Sequence, residues 1–220
     1  MLAALLDLAC PRFCAGCGVR GALLCDPCAV GVLGSPFPAD PTPRPAGLPP
    51  VYASTAYDGP ARAALIAFKE RGRLGLAGPL AAALASAVAV TGADLLVAVP
   101  SSRAARRTRG YDHTAMLAKR AAAQLGLGVL GGLAQPRRVS DQAGLGTQAR
   151  TANLAGSMQF AGRAPAVGAR VVIVDDIVTS GATLADAARA LRCAGIDVAA
   201  AAVVAATQRR SQLYKAGPAG

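Results

Sequence analysis

Two adjacent carboxylates, Asp175 and Asp176, follow the apolar run Val171-Val172-Ile173-Val174 and precede Ile177-Val178-Thr179-Ser180-Gly181-Ala182-Thr183. Paired carboxylates accept hydrogen bonds from neighbouring hydroxyls and favour positive charge developing beside them. The charge-free, β-branched run before them reads as a strand buried on both faces, so the acids fall at the carboxyl edge of a sheet, where α/β proteins hold ligands. The turn from Thr179 to Thr183 is small, hydroxyl-bearing and contains glycine. After it, Leu184, Ala187, Ala188 and Leu191 mark one face of a helix, with Gly195 just beyond its end. Backbone N–H groups at such a helix start attract phosphate. Hydroxyl acceptors next to a phosphate cradle describe a sugar phosphate.

A second set of chemistry-bearing residues lies near the start. Cys14-x-x-Cys17 and Cys25-x-x-Cys28 are paired knuckles, with Gly16, Gly18, Gly21 and Pro27 within and between them. Four thiolates in this spacing form the closed tetrahedral shell of a structural zinc site, which leaves no open position for catalysis. Disulfides and thioredoxin-like chemistry fit less well, because neither a secretory leader nor a βαβ pattern accompanies the motifs. Cys10 reads as a small buried residue, and Cys193 as a structural residue of the last helix.

Of the formal charge of +11, the segment 103–170 carries eleven basic against two acidic residues, hence +9. A basic segment facing an acidic pair suits a polyanion with both phosphates and hydroxyls; it equally suits nucleic-acid phosphates. The absence of Trp and the scarcity of aromatic residues argue against a large base-stacking platform. Two motif lookalikes fail. Gly126-x-Gly128-x-x-Gly131 runs into Gly132 and Pro136 instead of a helix, and no Gly-x-x-x-x-Gly-Lys-Ser/Thr occurs.

The elements that must position these residues follow from pattern. Residues 1–33 form a metal-stapled head and 34–50, with seven prolines, an extended linker. A main domain spans 51–210, and 211–220 is a flexible tail. Within the main domain we expect strands near 51–57, 95–99, 127–131, 171–176 and 196–206. Helices are expected near 60–70, along the alanine-rich 74–93, at 113–125 and after the 179–183 turn. The segment 136–169 reads as a loop or hood with a short helix near 147–153. Repeated strand–helix units predict an α/β fold with a mostly parallel sheet flanked by helices. The charge-free stretch 74–93 is long enough to span a membrane, but its alanines, Pro79, Ser86 and Thr91 are too weakly apolar, so a buried helix is expected. With no membrane span and no secretory leader, the expected location is the cytoplasm.

Taken in order, these segments resemble the competence protein F (ComF) family, which is similar to type I phosphoribosyltransferases with a zinc-binding head. The resemblance rests on the two cysteine knuckles, Phe68-Lys69 followed by Gly72, and Val97-Ala-Val-Pro-Ser101 with Arg103. It continues through Arg109-Gly-Tyr-Asp112, Asp141-Gln142, Arg150 followed by Asn153, and the 171–184 segment. The family usually has Asn where Asp112 stands. The resemblance implies that Asp175 and Asp176 hold the ribose hydroxyls of phosphoribosyl pyrophosphate. Thr179, Ser180, Gly181, Ala182 and Thr183 would wrap its 5′-phosphate. Ser101, Ser102 and Arg103 would form the pyrophosphate loop, Arg106, Arg107 and Arg109 would close over it, and Lys69 would reach a phosphate. Mg²⁺ would accompany the donor. The implied activity is phosphoribosyl transfer in a DNA-uptake or DNA-processing setting, with single-stranded DNA and the uptake machinery as partners. A non-catalytic DNA-binding or donor-sensing module is the alternative. His113 reads as the start of a helix, and Tyr111 as a packing residue.

Overall fold

The computed structural model describes residues 13–101, 107, 110–135 and 156–207. Its elements begin with α1 (Asp26–Leu33), β1 (Phe37–Pro38), β2 (Val51–Ala56) and α2 (Gly59–Glu70), then a 3₁₀ turn at Leu74–Leu76. They continue with α3 (Ala77–Ala89), β3 (Leu95–Ala98), α4 (His113–Leu125), β4 (Gly128–Val129) and β5 (Leu133–Ala134). Last come β6 (Gln159–Phe160), β7 (Val171–Val178), α5 (Ala182–Cys193) and β8 (Val198–Ala206). A six-stranded sheet has the order β1-β2-β8-β7-β3-β4, parallel except for the β1–β2 pair. β5 and β6 form a separate antiparallel pair.

Strands β7 and β8 sit at the centre, and their apolar residues serve both faces. Val172, Val174, Ala202 and Val204 join Leu65, Phe68, Leu80, Leu84 and Leu117 of α2, α3 and α4 in one core layer. Val171, Ile173, Ala201 and Val203 join Leu184, Ala187, Ala188 and Leu191 of α5 in the other. This is why the central strands read as continuous apolar runs without alternation. The alanine-rich stretch resolves into the 3₁₀ turn and the thirteen-residue α3. No helix among the described residues is long and apolar enough to cross a membrane.

The chain turns in opposite directions from two adjacent strands. From β3 it passes through α4 to β4 on one side, and from β7 through α5 to β8 on the other. The carboxyl ends of β3 and β7 are neighbours, with Ala98 opposite Val174. A crevice at such a reversal is where open α/β sheets place their ligands.

The described part of the head packs on this body. Val32 of α1 is 1% exposed and belongs to the first core layer. Thr55 Oγ1 donates to the Gly31 carbonyl at 3.1 Å, and Ser54 Oγ donates to that of Leu33. The proline-rich 34–50 segment departs from a purely extended linker. Its β1 pairs along the outer edge of the sheet, where a proline lacking its N–H is tolerated. Asp40 then accepts the Val51 N–H at 3.0 Å. The strand expected near 127–131 shortens to Gly128–Val129, and the helix expected near 147–153 lies outside the described residues.

Gly34 joins head to sheet at φ 58°, and a Cβ there would meet the Ser54 carbonyl and sit 2.9 Å from Thr55 Cβ. Gly34→Ala is therefore expected to lower unfolding free energy by about 2 kcal/mol or more, from backbone strain together with overpacking. Urea unfolding of the two proteins checks it; matching midpoints would refute this account of the junction.

Candidate functional site

The acidic pair lies within the carboxyl half of β7, beside β8, with Asp175 in register with Val203; the strand expected over 171–176 runs on through Ile177 and Val178, which pair with Ala205 and Ala206. Asp176 is only 6% exposed. Its Oδ2 is 2.8 Å from Nζ of Lys69, which reaches across from the last turn of α2. Asp175 Oδ1 accepts the Asp176 N–H at 2.8 Å and the Thr114 hydroxyl of α4 at 3.3 Å. Burial, and then the charge of Asp176, push the Asp175 carboxyl well above its ordinary range. The Asp176 amide, Lys69 and Thr114 act in the opposite direction and are outweighed. Two adjacent acids thus stand side by side, Asp175 desolvated and Asp176 paired to the Lys69 ammonium.

The turn after β7 leads straight into α5. Thr179 and Ser180 are exposed, and Gly181 stands at the N-cap in the left-handed region, φ 75°. Its carbonyl accepts the Ala185 N–H at 2.9 Å, so the earlier amides of the first turn have no intrahelical acceptor. Those amides are the donors a phosphate would use. Gly181 is buried beneath the proline-rich segment: a Cβ there would approach Pro41 Cγ to 2.9 Å and Leu48 Cδ2 to 3.1 Å. A cleft of about 1460 Å³ between that segment and α5 reaches Thr179 and Ser180, and its lining leaves out Asp175, Asp176 and Lys69. It is a neighbour of the acidic pair and does not open over it.

On the other side of the crevice, Ser101 follows β3 and is tied to Asp112 at the start of α4. Arg107 is exposed. Ser102, Arg103, Arg106 and Arg109 lie outside the described residues, as do Asp141, Gln142, Arg150 and Asn153. His113 is the first residue of α4 and is 1% exposed. Its Nε2–H donates to the Phe68 carbonyl at 3.2 Å. Its ring lies 4.8 Å from Phe68, edge to face, and 4.6 Å from Tyr111. These aromatic groups pack α4 against α2.

The residues 114–216 match the family model of the phosphoribosyl transferase domain. The match begins at Thr114, the residue that touches Asp175, and takes in β7, the turn, α5 and β8. No curated protein matches the chain. Together with the parallel sheet and its flanking helices, the match makes this an α/β fold with a phosphoribosyltransferase domain. The acidic pair and the turn after it fall inside that domain.

Cys14, Cys17, Cys25 and Cys28 gather with their sulfurs all within 4.8 Å of one another. Sγ of Cys25 is 3.5 Å from those of Cys14 and Cys17. Tetrahedral zinc–thiolate bonds of about 2.3 Å place sulfurs roughly 3.8 Å apart, so the cluster fits that ion. The Gly16 and Cys25 amides donate to Cys14 Sγ at 3.4 and 3.3 Å. Burial raises the Cys14 thiol, but amides from Cys25, Cys17 and Gly16 outweigh it and bring it down to about 6. Burial and the neighbouring sulfurs push Cys28 up to about 12. A divalent cation removes this conflict by replacing protons at all four sulfurs. Cys193, at the end of α5, is exposed and outside the core.

Sequence reasoning passed over Asp186. It is buried on α5 and accepts the Gly156 amide at 2.8 Å, the Met158 amide at 2.9 Å and the Ser157 hydroxyl at 3.2 Å. Arg189 Nε donates to it at 2.8 Å and Arg189 Nη2 to the Met158 carbonyl at 2.7 Å. Burial raises the Asp186 carboxyl, but Arg189 and the two amides hold it below its ordinary range. The Asp186–Arg189 spacing of i, i+3 was the available signal, and helix surfaces carry many such pairs.

Because folding raises the Asp175 value, its contribution to stability is fully present below the ordinary carboxylate range and is lost as pH rises through the folded value. Asp175→Asn removes that loss. Its melting temperature is expected to exceed the wild type's at pH 8, with the gap closing toward pH 4, as thermal scans across that range would show. A gap independent of pH would contradict the assignment.

Proposed function

We propose that this chain binds phosphoribosyl pyrophosphate with Mg²⁺ and transfers the phosphoribosyl group to an acceptor nucleophile. The observation that carries the reading is the placement of Asp175 and Asp176 in the carboxyl half of a buried strand whose end at Val178 runs directly into the α5 turn. The 5′-phosphate takes the Thr179–Thr183 amides and hydroxyls, and the ribose hydroxyls donate to the two acids. The diphosphate points toward Ser101 and Lys69. As the C1–O bond to pyrophosphate breaks, its electron pair leaves with the diphosphate and positive charge grows on C1. Asp175 and Asp176 sit where that charge is favoured. The acceptor's lone pair forms the new bond to C1, and its proton passes to a base. Mg²⁺ bound together with the donor would spread the leaving group's charge. Cys14, Cys17, Cys25 and Cys28 hold a structural zinc ion.

We further infer a cytoplasmic DNA-uptake or DNA-processing setting, with single-stranded DNA as a partner. This rests on the order of motifs shared with the competence protein F family and on the +9 charge of 103–170. Release of pyrophosphate separates a transferase from a module that only senses the donor or holds a strand.

Calorimetric titration with phosphoribosyl pyrophosphate and Mg²⁺ is expected to show micromolar binding. The Asp175→Asn, Asp176→Asn double variant should weaken it at least a hundredfold while remaining folded. Equal affinity of variant and wild type would overturn the reading. For the cysteine cluster, elemental analysis should find one zinc per chain, and stripping it with a strong chelator should lower the melting temperature by about 10 °C or more. An unshifted melt would exclude a structural metal.

A further inference from the structure

The carboxylate of Asp112 serves three donors at once. Oδ2 accepts the Ser101 N–H at 3.1 Å. Oδ1 accepts the Ser101 hydroxyl at 3.0 Å and the Ala115 N–H at 3.1 Å. The last of these caps α4, whose first-turn amides have no other intrahelical partner. The first two fasten the chain leaving β3 to the start of that helix. Ser101 and Asp112 are also the two ends of the segment that carries Arg103, Arg106, Arg107 and Arg109.

The next two residues extend the junction. His113 bonds the Phe68 carbonyl, directly before Lys69 on α2, and Thr114 bonds Asp175 on β7. Three consecutive side chains thus meet three separate parts of the crevice: the β3 loop, the helix that presents Lys69, and the acidic pair. Rotating or withdrawing the first of them releases Ser101 from the start of α4.

We propose that Asp112 is a positioning residue that fixes the β3 loop at Ser101 in register with the acidic pair and so sets the diphosphate end of the donor site. The inference rests on the transferase reading above and adds to it a residue that touches no donor atom. A carboxylate suits the task because all three partners are donors. An amide would turn an N–H toward the Ser101 N–H, losing one fastening while its remaining oxygen keeps the cap. A serine hydroxyl caps the helix but is too short to span to Ser101.

The test compares wild type, Asp112→Ser and Asp112→Asn, each first checked for an intact melt. Binding of phosphoribosyl pyrophosphate with Mg²⁺ is measured beside binding of ribose 5-phosphate, which lacks the diphosphate. We expect Asp112→Ser to lose about tenfold or more in affinity for the diphosphate compound, Asp112→Asn to lose less because its amide oxygen keeps the Ser101 hydroxyl, and both to keep ribose 5-phosphate affinity within twofold. Equal losses for both compounds would mean Asp112 is merely structural, and no loss for either would mean the fastening is idle; each overturns the inference alone. A wild type that binds neither compound overturns the transferase reading and this inference with it. Should Asp112→Ser fail to fold, Asp112→Asn, which retains the capping oxygen, carries the same comparison.

Discussion

The arrangement turns on the cost of holding two carboxylates side by side within a buried strand. Neither acid is in open water, and burial together with the charge of Asp176 raises the electrostatic cost of ionising Asp175. The neighbouring groups answer that cost from three directions. Lys69 arrives from α2, Thr114 from α4, and the Asp176 amide from the strand itself. Much of the helical layer on that face thereby acquires a second duty. Phe68 and Leu117 bury apolar surface, and in the same helices that packing aims an ammonium and a hydroxyl at the acids. Removing packing residues there would disturb the charge arrangement as well as the core.

The opposite face of the sheet solves a similar problem differently. Asp186 is also buried, but it is saturated by amides, a hydroxyl and Arg189, and its carboxyl is held down where Asp175 is held up. Asp186 accepts four donors and fastens backbone, whereas Asp175 accepts the Asp176 amide and the Thr114 hydroxyl.

Much of this was legible in the residues. Four apolar positions, two acids and a small hydroxyl-rich turn specify strand, edge and helix start with local rules alone, and the helix His113–Leu125 matches its expected span. The paired knuckles likewise placed four sulfurs together. What stayed hidden depends on contacts between elements distant in the chain. Lys69 read as a cation for phosphate or solvent, because nothing local says that α2 ends opposite β7. The prolines of 34–50 read as a spacer, because composition excludes a sheet interior without naming the edge strand β1 or the seat of Pro41 on Gly181. The bonds from Asp112 to Ser101 cross eleven positions and have no periodic signature.

The two ends of the central sheet are both occupied by strands of only two residues, β1 with Pro38 and β4 with Gly128. Short borders of this kind, one of them missing an amide, give an incoming chain almost no ladder to continue. The long apolar strands β7 and β8 are shielded from that risk by lying in the middle. Extension of this six-stranded sheet by another chain is therefore disfavoured at both of its borders.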